Sequence, residues 1–235
     1  IGGFHIMADA RNQKAVLELR RKKMRPFKPF AIMSLNIEKV KEYCEVDKKS
    51  EGLLSSPRRP IVLLRKKSAS ASLSIAEAVA PDNNYLGVML PYTPLHYLLL
   101  QNLRSLAIVA TSANLQDEPL IFEDSVAIEK LSGISEYFLV HDRDIENRID
   151  DSIMQVMDGK PVILRRARGF VPLPVDVGSL RLKRAKVLGC GAELKNTFCL
   201  AHRNFAFVSQ HIGDLKNDET FDFYKEEIRK FQRFF

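Results

Sequence analysis

Apolar and polar positions alternate along most of the chain with the periods of short strands and amphipathic helices. We expect strands at about 4–8, 30–35, 61–64, 85–90, 106–111 and 137–140. Helices are expected between them, at about 13–23, 37–46, 94–103 and 124–131. Asn12 and Thr93 are plausible N-caps, and Pro94 suits the first position of a helix. This order of elements predicts the α/β class, with a twisted mixed sheet and flanking helices.

A hairpin is predicted where two further alternating segments, at about 153–156 and 162–164, are joined by Asp158-Gly159. Three arginines follow its second strand: Arg165, Arg166 and Arg168. Guanidinium groups that project from one strand end are suited to bind an anion. A solvated basic strand end is the other interpretation, and the hairpin alone does not separate the two.

A boundary is predicted near 171–181, where proline and glycine are frequent. Strands at about 186–189, 196–202 and 205–209 then begin a second domain, and a helix ends the chain. The apolar face of that helix carries Phe221, Tyr224, Ile228 and Phe231. We expect this face to need a partner outside the chain. We also expect the sequence to be a fragment that lacks a preceding strand and most of the second domain.

Composition narrows the class of protein. With 235 residues and 46% apolar content, the chain can bury a sizeable core. No apolar run reaches about eighteen residues and the first residues do not read as a signal peptide, so we expect a cytoplasmic protein without a membrane partner. Three separated cysteines indicate neither a disulfide framework nor a CxxC metal site. The net charge of +7 would attract nucleotides, RNA or acidic proteins alike.

A basic loop follows the first predicted helix. Its three cations, Lys23, Arg25 and Lys28, are interleaved with two prolines. Because proline restricts the backbone, this loop could present several cations to a triphosphate with little loss of entropy. A solvated basic loop is the alternative.

Small polar residues occupy a second position that favours ligands. Ser112, Ala113 and Asn114 come directly after an apolar strand, where open α/β sheets commonly bind their ligands. Their hydroxyl and amide groups could bind a phosphate or a ribose, or could simply cap the turn. Arg58, in a proline-fixed turn before another strand, could face the same pocket as Arg165.

Two histidines and a glycine-containing segment leave alternatives open. His96 near a helix N-terminus is more typical of a packed helix residue than of an acid-base group. The segment 189–197 reads as a glycine-containing hairpin. His211 and Asp214 resemble metal ligands by residue type, but we assign no metal ligand in this chain.

Six motifs, in this order, carry a family resemblance: GGFHIMADA, RPFKPFAIM, SSPRRPIVLL, LGVMLPYTPLH, TSANLQDEP, and DDSIMQV followed by ILRRARG. Over 2–174 the chain resembles the YrdC-like domain of the HypF carbamoyltransferases, which mature nickel-iron hydrogenases. The remainder resembles the opening of their next domain, a transferase of the actin/Hsp70-like (ASKHA) fold. The resemblance implies a YrdC-like domain at 1–174, a linker at 175–185 and the start of the transferase domain at 186–235.

The resemblance also implies which residues bind the nucleotide. Lys23, Arg25 and Lys28 match the family's nucleotide-binding loop, and Arg165, with Arg166 beside it, matches its phosphate-binding arginine. Ser112, Ala113, Asn114 and Ser152 match further binding positions. We expect Lys23, Arg25 and Arg165 to be catalytic, and Arg58 remains a binding candidate from its turn alone. The segment 189–197 resembles the first phosphate loop of the second domain.

The implied reaction is the ATP- and Mg²⁺-dependent formation of carbamoyl-adenylate from carbamate. The carbamoyl group would then pass to a cysteine of HypE, the acceptor protein. Zinc is expected only in parts of the parent protein that this chain lacks. A YrdC-type module that binds double-stranded RNA without adenylation activity is the alternative function.

Overall fold

The computed structural model of the protein describes residues 2–68, 75–103, 105–114, 118–178 and 186–235. Seven strands form the larger sheet: β1 (His5–Asp9), β2 (Ala31–Met33), β3 (Ile61–Arg65), β4 (Tyr85–Met89), β5 (Ile108–Ser112), β6 (Ile153–Met157) and β7 (Lys160–Arg165). Five helices accompany it: α1 (Gln13–Lys22), α2 (Ile37–Lys41), α3 (Lys48–Ser55), α4 (Pro94–Asn102) and α5 (Asp124–Leu131).

The larger sheet is mixed, with the strand order β1-β5-β2-β4-β3-β6-β7. β2 pairs with β4, and β3 with β6, in parallel, while the other neighbouring pairs are antiparallel. The predicted twisted mixed sheet with flanking helices is therefore confirmed. Asn12 and Thr93 cap α1 and α4 as expected, since each side chain accepts a bond from a backbone N–H three residues later.

Alternation along the strands gives the sheet two different faces. Val62, Leu64, Leu86, Val88 and Val109 point to one face, where they pack in the main core with residues of α1, α2 and α3. Strand residues that point to the opposite face, among them Ile61, Met89 and Ile108, belong to a smaller cluster with Leu100 of α4. Helices α1, α2, α3 and α5 cover the first face, whereas α4 packs on the second face, which also carries the pocket described below.

The arginine hairpin folds as predicted. β6 and β7 pair antiparallel, with Met157 opposite Lys160 across the turn. Asp158 and Gly159 both have positive φ, at 48° and 70°, which is the requirement of the tight turn that Asp-Gly favours.

A second, four-stranded sheet has the order β8-β11-β10-β9. Its strands are β8 (Val175–Asp176), β9 (Lys186–Gly189), β10 (Cys199–His202) and β11 (Phe205–Val208), and α6 (Asp218–Phe234) ends the chain. β8 lies inside the predicted linker, whose residues 179–185 fall outside the described part of the chain. The predicted domain boundaries stay a prediction.

The expectation that the apolar face of α6 lacks a partner is wrong. Of the predicted face, Tyr224 and Phe231 are buried with Phe223, Phe198 and Leu200 of this same chain, and Ile228 packs against them, whereas Phe221 is 44% exposed. The ring of Phe198 lies edge-on to Tyr224 and Phe231, at centroid distances of 5.9 and 5.0 Å. The smaller sheet supplies the partner, a contact distant in sequence that helical spacing alone does not reveal.

Two predicted elements differ from the structure. The helix predicted at 37–46 ends at Lys41, and Asp47 caps a separate helix, α3, through a bond from the Ser50 N–H. Between them Cys44 forms an isolated bridge with Lys66 beside β3, which interrupts the helix. The strand predicted at 137–140 is irregular backbone, and Tyr137 is 88% exposed there.

Within the described residues, every helix is too short or too polar to cross a membrane.

Candidate functional site

A pocket of about 600 Å³ opens on the second face of the larger sheet. Its floor is apolar and comes from Ala31, Ile61, Leu63, Gly87 and Ile153 on neighbouring strands. Its wall is polar: Arg25, Lys28, Thr111, Ser112, Asn114, Asp150 and Arg165 are among the lining residues. A volume of this size is typical of a site for a small ligand, and the combination suits a molecule with one flat apolar end and one anionic end.

Arg25 enters the pocket from the basic loop and is fixed there by neighbouring groups. Its guanidinium donates to the carbonyl oxygens of Lys28 and Pro29, at 3.1 and 2.5 Å, and to Thr111 Oγ1 at 3.3 Å. Burial lowers the pKa of Arg25 to about 10, with contributions from the positive charges of Arg20 and Arg165. Arg25 of the first basic segment and Arg165 of the hairpin are therefore close enough to repel one another.

Lys23 lies behind the pocket wall and does not line the cavity. It is 4% exposed, and its Nζ donates to Ser112 O, Asn114 O and Asn114 Oδ1 at 2.9, 2.6 and 3.2 Å. Burial lowers its pKa to about 8, and the nearby Arg25 and Lys28 lower it further in the same direction. The three N–H donors of this ammonium thus fix the turn after β5.

The turn after β5 brings Ser112 and Asn114 to the pocket, while Ala113 is fully buried and does not line it. Ser112 Oγ donates to Asn114 Oδ1 at 2.9 Å, and Asn114 Nδ2 donates to the Glu118 carbonyl at 2.8 Å. The turn is therefore held both by Lys23 and by its own side chains. The predicted capping role is present in the same residues that face the cavity.

Arg165 is the pocket arginine of the hairpin. Its Nη1 lies 3.9 Å from Asp150 Oδ2, an ion pair too long to be a hydrogen bond. The same carboxylate oxygen lies 3.0 Å from His211 Nδ1. Burial opposes ionisation of Asp150, but His211 and Arg165 outweigh it and hold the pKa of this carboxyl below its usual range.

Four other predicted site residues lie outside the pocket lining. Arg166 Nη2 donates to the carbonyl oxygens of Phe170 and Leu173. Ser152 is fully buried, accepts from Ala167 N and donates to Arg168 O. Arg58 is exposed, with its guanidinium 4.4 Å from the Phe170 ring centroid, and Ala113 is buried as described. Ser152 and Arg166 therefore fix the hairpin end in this structure.

Arg168 also serves the hairpin end rather than the cavity. It is 9% exposed, bonds Asp151 Oδ1 through Nε and Nη2 at 2.8 and 2.7 Å, and donates to the carbonyl oxygens of Arg58 and Arg59. Gly169 permits this approach, because it has a φ of +87° and a Cβ there would lie 2.8 Å from the Arg58 carbonyl oxygen. The basic turn 58–59 is thereby tied to the hairpin.

A histidine and tyrosine cluster surrounds Asp151. His5 Nε2 lies 3.3 Å from Asp151 Oδ2, and the Arg168 guanidinium lies 3.5 Å from the ring centroid of Tyr92. His96 packs edge-on to Tyr92 at 4.5 Å, and burial lowers the pKa of His96 to about 4. The packed-residue interpretation of His96 therefore describes its surroundings, although its Nδ1 is buried without a hydrogen-bond partner.

Residues 186–235, called the second unit below, contribute pocket residues that the sequence did not reveal; the larger sheet and its helices form the first unit. Lys195, His211, Asp214, Thr220 and Phe223 line the cavity. His211 and Asp214 attracted attention as possible metal ligands, but here the first bonds Asp150 and the second accepts from Lys195 N at 2.6 Å. In the described ranges, no three His, Cys, Asp or Glu side chains are grouped to hold a metal ion. Only the spatial contact identifies these residues as part of the site.

The segment 189–197 connects two strands of an antiparallel hairpin, because β9 pairs with β10. Gly191 has a φ of +75°, and a Cβ there would lie 2.1 Å from the Thr197 carbonyl oxygen. The hairpin interpretation is confirmed for this segment. The phosphate-loop role stays a prediction.

Comparison with known proteins gives the family. The Sua5_yciO_yrdC family, described as "Telomere recombination", matches residues 1–167, and the family described as "HypF Kae1-like domain" matches residues 182–235. A carbamoyltransferase HypF of Rhizobium leguminosarum bv. viciae is 45% identical over 234 residues, which cover 97% of this chain and 30% of the relative. This chain therefore spans about a third of the relative's length.

Two solved structures agree with this assignment. Full-length HypF in the phosphate- and nucleotide-bound form is 46% identical, with a TM-score of 0.91, over 99% of this chain and 36% of that one. HypF of T. kodakarensis is 42% identical, with a TM-score of 0.92, over 98% of this chain and 29% of that one. The chain belongs to the Sua5/YciO/YrdC family, and it corresponds to the part of the HypF carbamoyltransferases that contains the YrdC-like domain and a segment of the Kae1-like domain.

Proposed function

We propose that this chain forms carbamoyl-adenylate from ATP and carbamate, as one step of a HypF-type carbamoyltransferase. The carbamoyl group would pass afterwards to a cysteine of the acceptor protein HypE, in the synthesis of the cyanide ligands of nickel-iron hydrogenases. The names of the relatives support carbamoyl transfer. A HypF relative has also been solved with nucleotide and phosphate bound.

The convergence of Arg25 and Arg165 above an apolar sheet floor is the observation that carries this proposal. These arginines belong to segments about 140 residues apart in sequence, yet the positive charge of Arg165 contributes, after burial and the charge of Arg20, to the lowered pKa of Arg25. A bound polyanion relieves such repulsion, so the free site is arranged to gain energy from phosphates. The apolar floor offers a surface for the base.

The chemistry requires mainly positioning and charge. The carbamate oxygen would form a bond to the α-phosphorus of ATP while the bond from that phosphorus to the bridging oxygen breaks, so pyrophosphate leaves. Arg25 and Arg165 would offset negative charge that builds on the phosphate oxygens, and Lys23 would add positive charge from behind the turn. Carbamate is already an anion, so the step needs no general base.

Magnesium would enter as the Mg-ATP substrate. Mg²⁺ commonly binds through substrate phosphates with one or two carboxylates, and carboxylates such as those of Glu118 and Asp214 line the pocket. Their presence is compatible with this kind of site. The ion would neutralise phosphate charge and assist departure of pyrophosphate.

The proposal can be tested by calorimetric titration of the chain with Mg-ATP at moderate salt, beside Arg25→Ala and a control, Arg229→Ala, which removes an exposed arginine of α6 outside the pocket. We expect saturable binding that Arg25→Ala weakens by about tenfold or more and that Arg229→Ala leaves unchanged. Addition of ammonium carbamate should then release pyrophosphate.

Titration with a short RNA duplex under the same conditions distinguishes nucleotide binding from the alternative function, binding of double-stranded RNA. Phosphate contacts to RNA weaken steeply as salt rises, whereas a nucleotide site should distinguish ATP from other polyanions. Equal losses in the two arginine variants, or binding of duplex alone, would refute the adenylation proposal. Absence of nucleotide binding by a chain that melts cooperatively would do the same.

A further inference from the structure

His211 reaches from the second unit into the pocket wall formed by the first. Its Nδ1 lies 3.0 Å from Asp150 Oδ2, and its backbone N–H donates to the Arg166 carbonyl at 3.0 Å. Both side chains are largely buried, at 18% and 25% exposure. The backbone bond fixes the loop of His211 to the residue that directly follows β7, so the side-chain contact is anchored beside Arg165.

Asp150 is placed between two possible partners. Its Oδ2 bonds His211 but stays 3.9 Å from Arg165 Nη1, beyond hydrogen-bond distance. A carboxylate and a guanidinium normally close into a shorter, often bidentate pair when nothing else competes for the carboxylate. Asp150 is therefore oriented by the histidine and only attracted by the arginine.

This arrangement matters for an anionic ligand. An arginine that is closed on a carboxylate must give up that pair before it can bind a phosphate, which reduces affinity by the free energy of the pair. An arginine held apart from the carboxylate keeps its donors for the ligand. The carboxyl group of Asp150 remains ionised here, because His211 and Arg165 outweigh burial and lower its pKa.

We propose that His211 is a positioning residue of the nucleotide site: by bonding Asp150 it prevents this carboxylate from closing on Arg165 and leaves the Arg165 guanidinium to bind phosphate. This inference rests on the proposed nucleotide-binding function. It assigns to the second unit a direct part in the affinity of a site whose lining arginines all belong to the YrdC-like domain. A bond from Nδ1 requires a proton on that nitrogen, which the neutral or the charged imidazole can supply.

The experiment compares Mg-ATP affinity in five forms of the chain: the parent, His211→Met, His211→Gln, Asp150→Asn, and the His211→Met/Asp150→Asn double variant. Methionine keeps a side chain of similar volume without a donor, while glutamine keeps an N–H donor. We expect His211→Met to weaken binding by about tenfold, since Asp150 would then pair with Arg165. His211→Gln should stay within about threefold of the parent.

The double variant decides the mechanism. Because asparagine cannot form an ion pair with Arg165, Asp150→Asn should restore the affinity that His211→Met loses, and alone it should not weaken binding. A merely structural role of His211 would not be rescued in this way. As a matched control, Lys230→Ala removes another contact between the units, from Lys230 Nζ to Asn147 Oδ1 at 3.1 Å, away from the pocket, and should leave affinity unchanged.

The outcomes separate this inference from the proposed function. A folded parent that does not bind Mg-ATP would overturn the proposed function itself. If the parent binds and His211→Met binds equally well, or if the double variant remains as weak as His211→Met, then His211 does not act through Asp150. Should His211→Met fail to fold, Asp150→Asn still decides, since a tenfold loss in that variant would overturn the inference.

Discussion

Arg165 and Arg168 lie three residues apart at the end of β7, yet their surroundings are opposite in kind. Arg168 is satisfied by Asp151 and by two backbone carbonyls, and its guanidinium covers the Tyr92 ring. Arg165 lines the pocket and has one distant carboxylate. A run of basic residues that looks uniform in sequence thus divides into arginines that build the fold and an arginine with capacity left for a ligand.

The first basic segment shows the same division. Arg20 is 6% exposed and donates to five backbone carbonyls, those of Arg25, Pro26, Lys28, Ala78 and Val79. Arg25 donates hydrogen bonds to two carbonyls of the same loop but also lines the pocket. The buried arginine shapes the loop, and the loop in turn aims Arg25. The buried arginine is therefore needed for the stability of the loop, and the pocket arginine for binding of the ligand.

The largest effect that this comparison predicts is on stability. Arg168→Met would leave the buried carboxylate of Asp151 without its two shortest contacts, from Arg168 Nε and Nη2, and would remove the donors to the Arg58 and Arg59 carbonyls. Breaking a buried pair of this kind costs about 3–5 kcal/mol. We expect the free energy of unfolding in urea to fall by about that amount, with the midpoint shifted to lower concentration.

Arg165→Met is the matched control for that measurement. Its ion pair with Asp150 is 3.9 Å long and both side chains are about a quarter exposed, so its loss should change the free energy of unfolding by less than about 1 kcal/mol. Similar losses of stability in the two variants would contradict the division of roles between these arginines.

The contrast also shows what the sequence could and could not predict. The sheet strands and the hairpin were predicted because a period of two and an Asp-Gly turn are local signals. The partners of Arg168 are Asp151 and two carbonyls about 110 residues away, so no local signal separates Arg168 from Arg165. The same limit explains Ser152, which matched a binding motif but lies buried against the backbone of Ala167 and Arg168.

Corrections to the fold have equally physical causes. The apolar stripe of α6 was predicted from helical spacing, but its partner is a sheet whose strands come earlier in the chain. The strand predicted at 137–140 had suitable residue types, yet strand pairing depends on a neighbouring edge that the local pattern does not specify. His211 was noticed for its type and acquires a role only through contact with Asp150.

The second expected effect is on ligand affinity. Charge-assisted hydrogen bonds contribute about 1.5–3 kcal/mol, so Arg165→Met should weaken Mg-ATP binding by roughly ten- to a hundredfold. Calorimetric titration measures this directly. Arg166→Met is the control at the neighbouring residue, because Arg166 bonds the carbonyls of Phe170 and Leu173 outside the pocket. The affinity of this variant for Mg-ATP should remain within about threefold of the parent after correction for any unfolded fraction. A larger loss of affinity in Arg166→Met would mean that Arg166, and not Arg165, makes the phosphate contact.

The smallest effect sharpens the comparison at Lys23, which is satisfied by hydrogen bonds yet lies close to the pocket cations. The pKa of Lys23 is lowered to about 8, so at pH 8.5 only about a quarter of the free protein carries this charge. A polyanion bound nearby favours the charged form and raises the pKa toward its ordinary value. Binding of ATP at pH 8.5 should therefore take up as much as about three quarters of a proton from the buffer, and at pH 6.5 Lys23 should contribute none.

This uptake can be measured by titrating ATP in buffers of different ionisation enthalpy, where the apparent heat changes in proportion to the protons transferred. Lys23→Arg is the informative variant, because arginine keeps the positive charge but remains protonated throughout this pH range. It should lose the proton uptake at pH 8.5 while still binding ATP. Uptake that persists in Lys23→Arg would assign the proton to another group, and no uptake in the parent would mean that the ammonium fixes the turn without sensing the ligand.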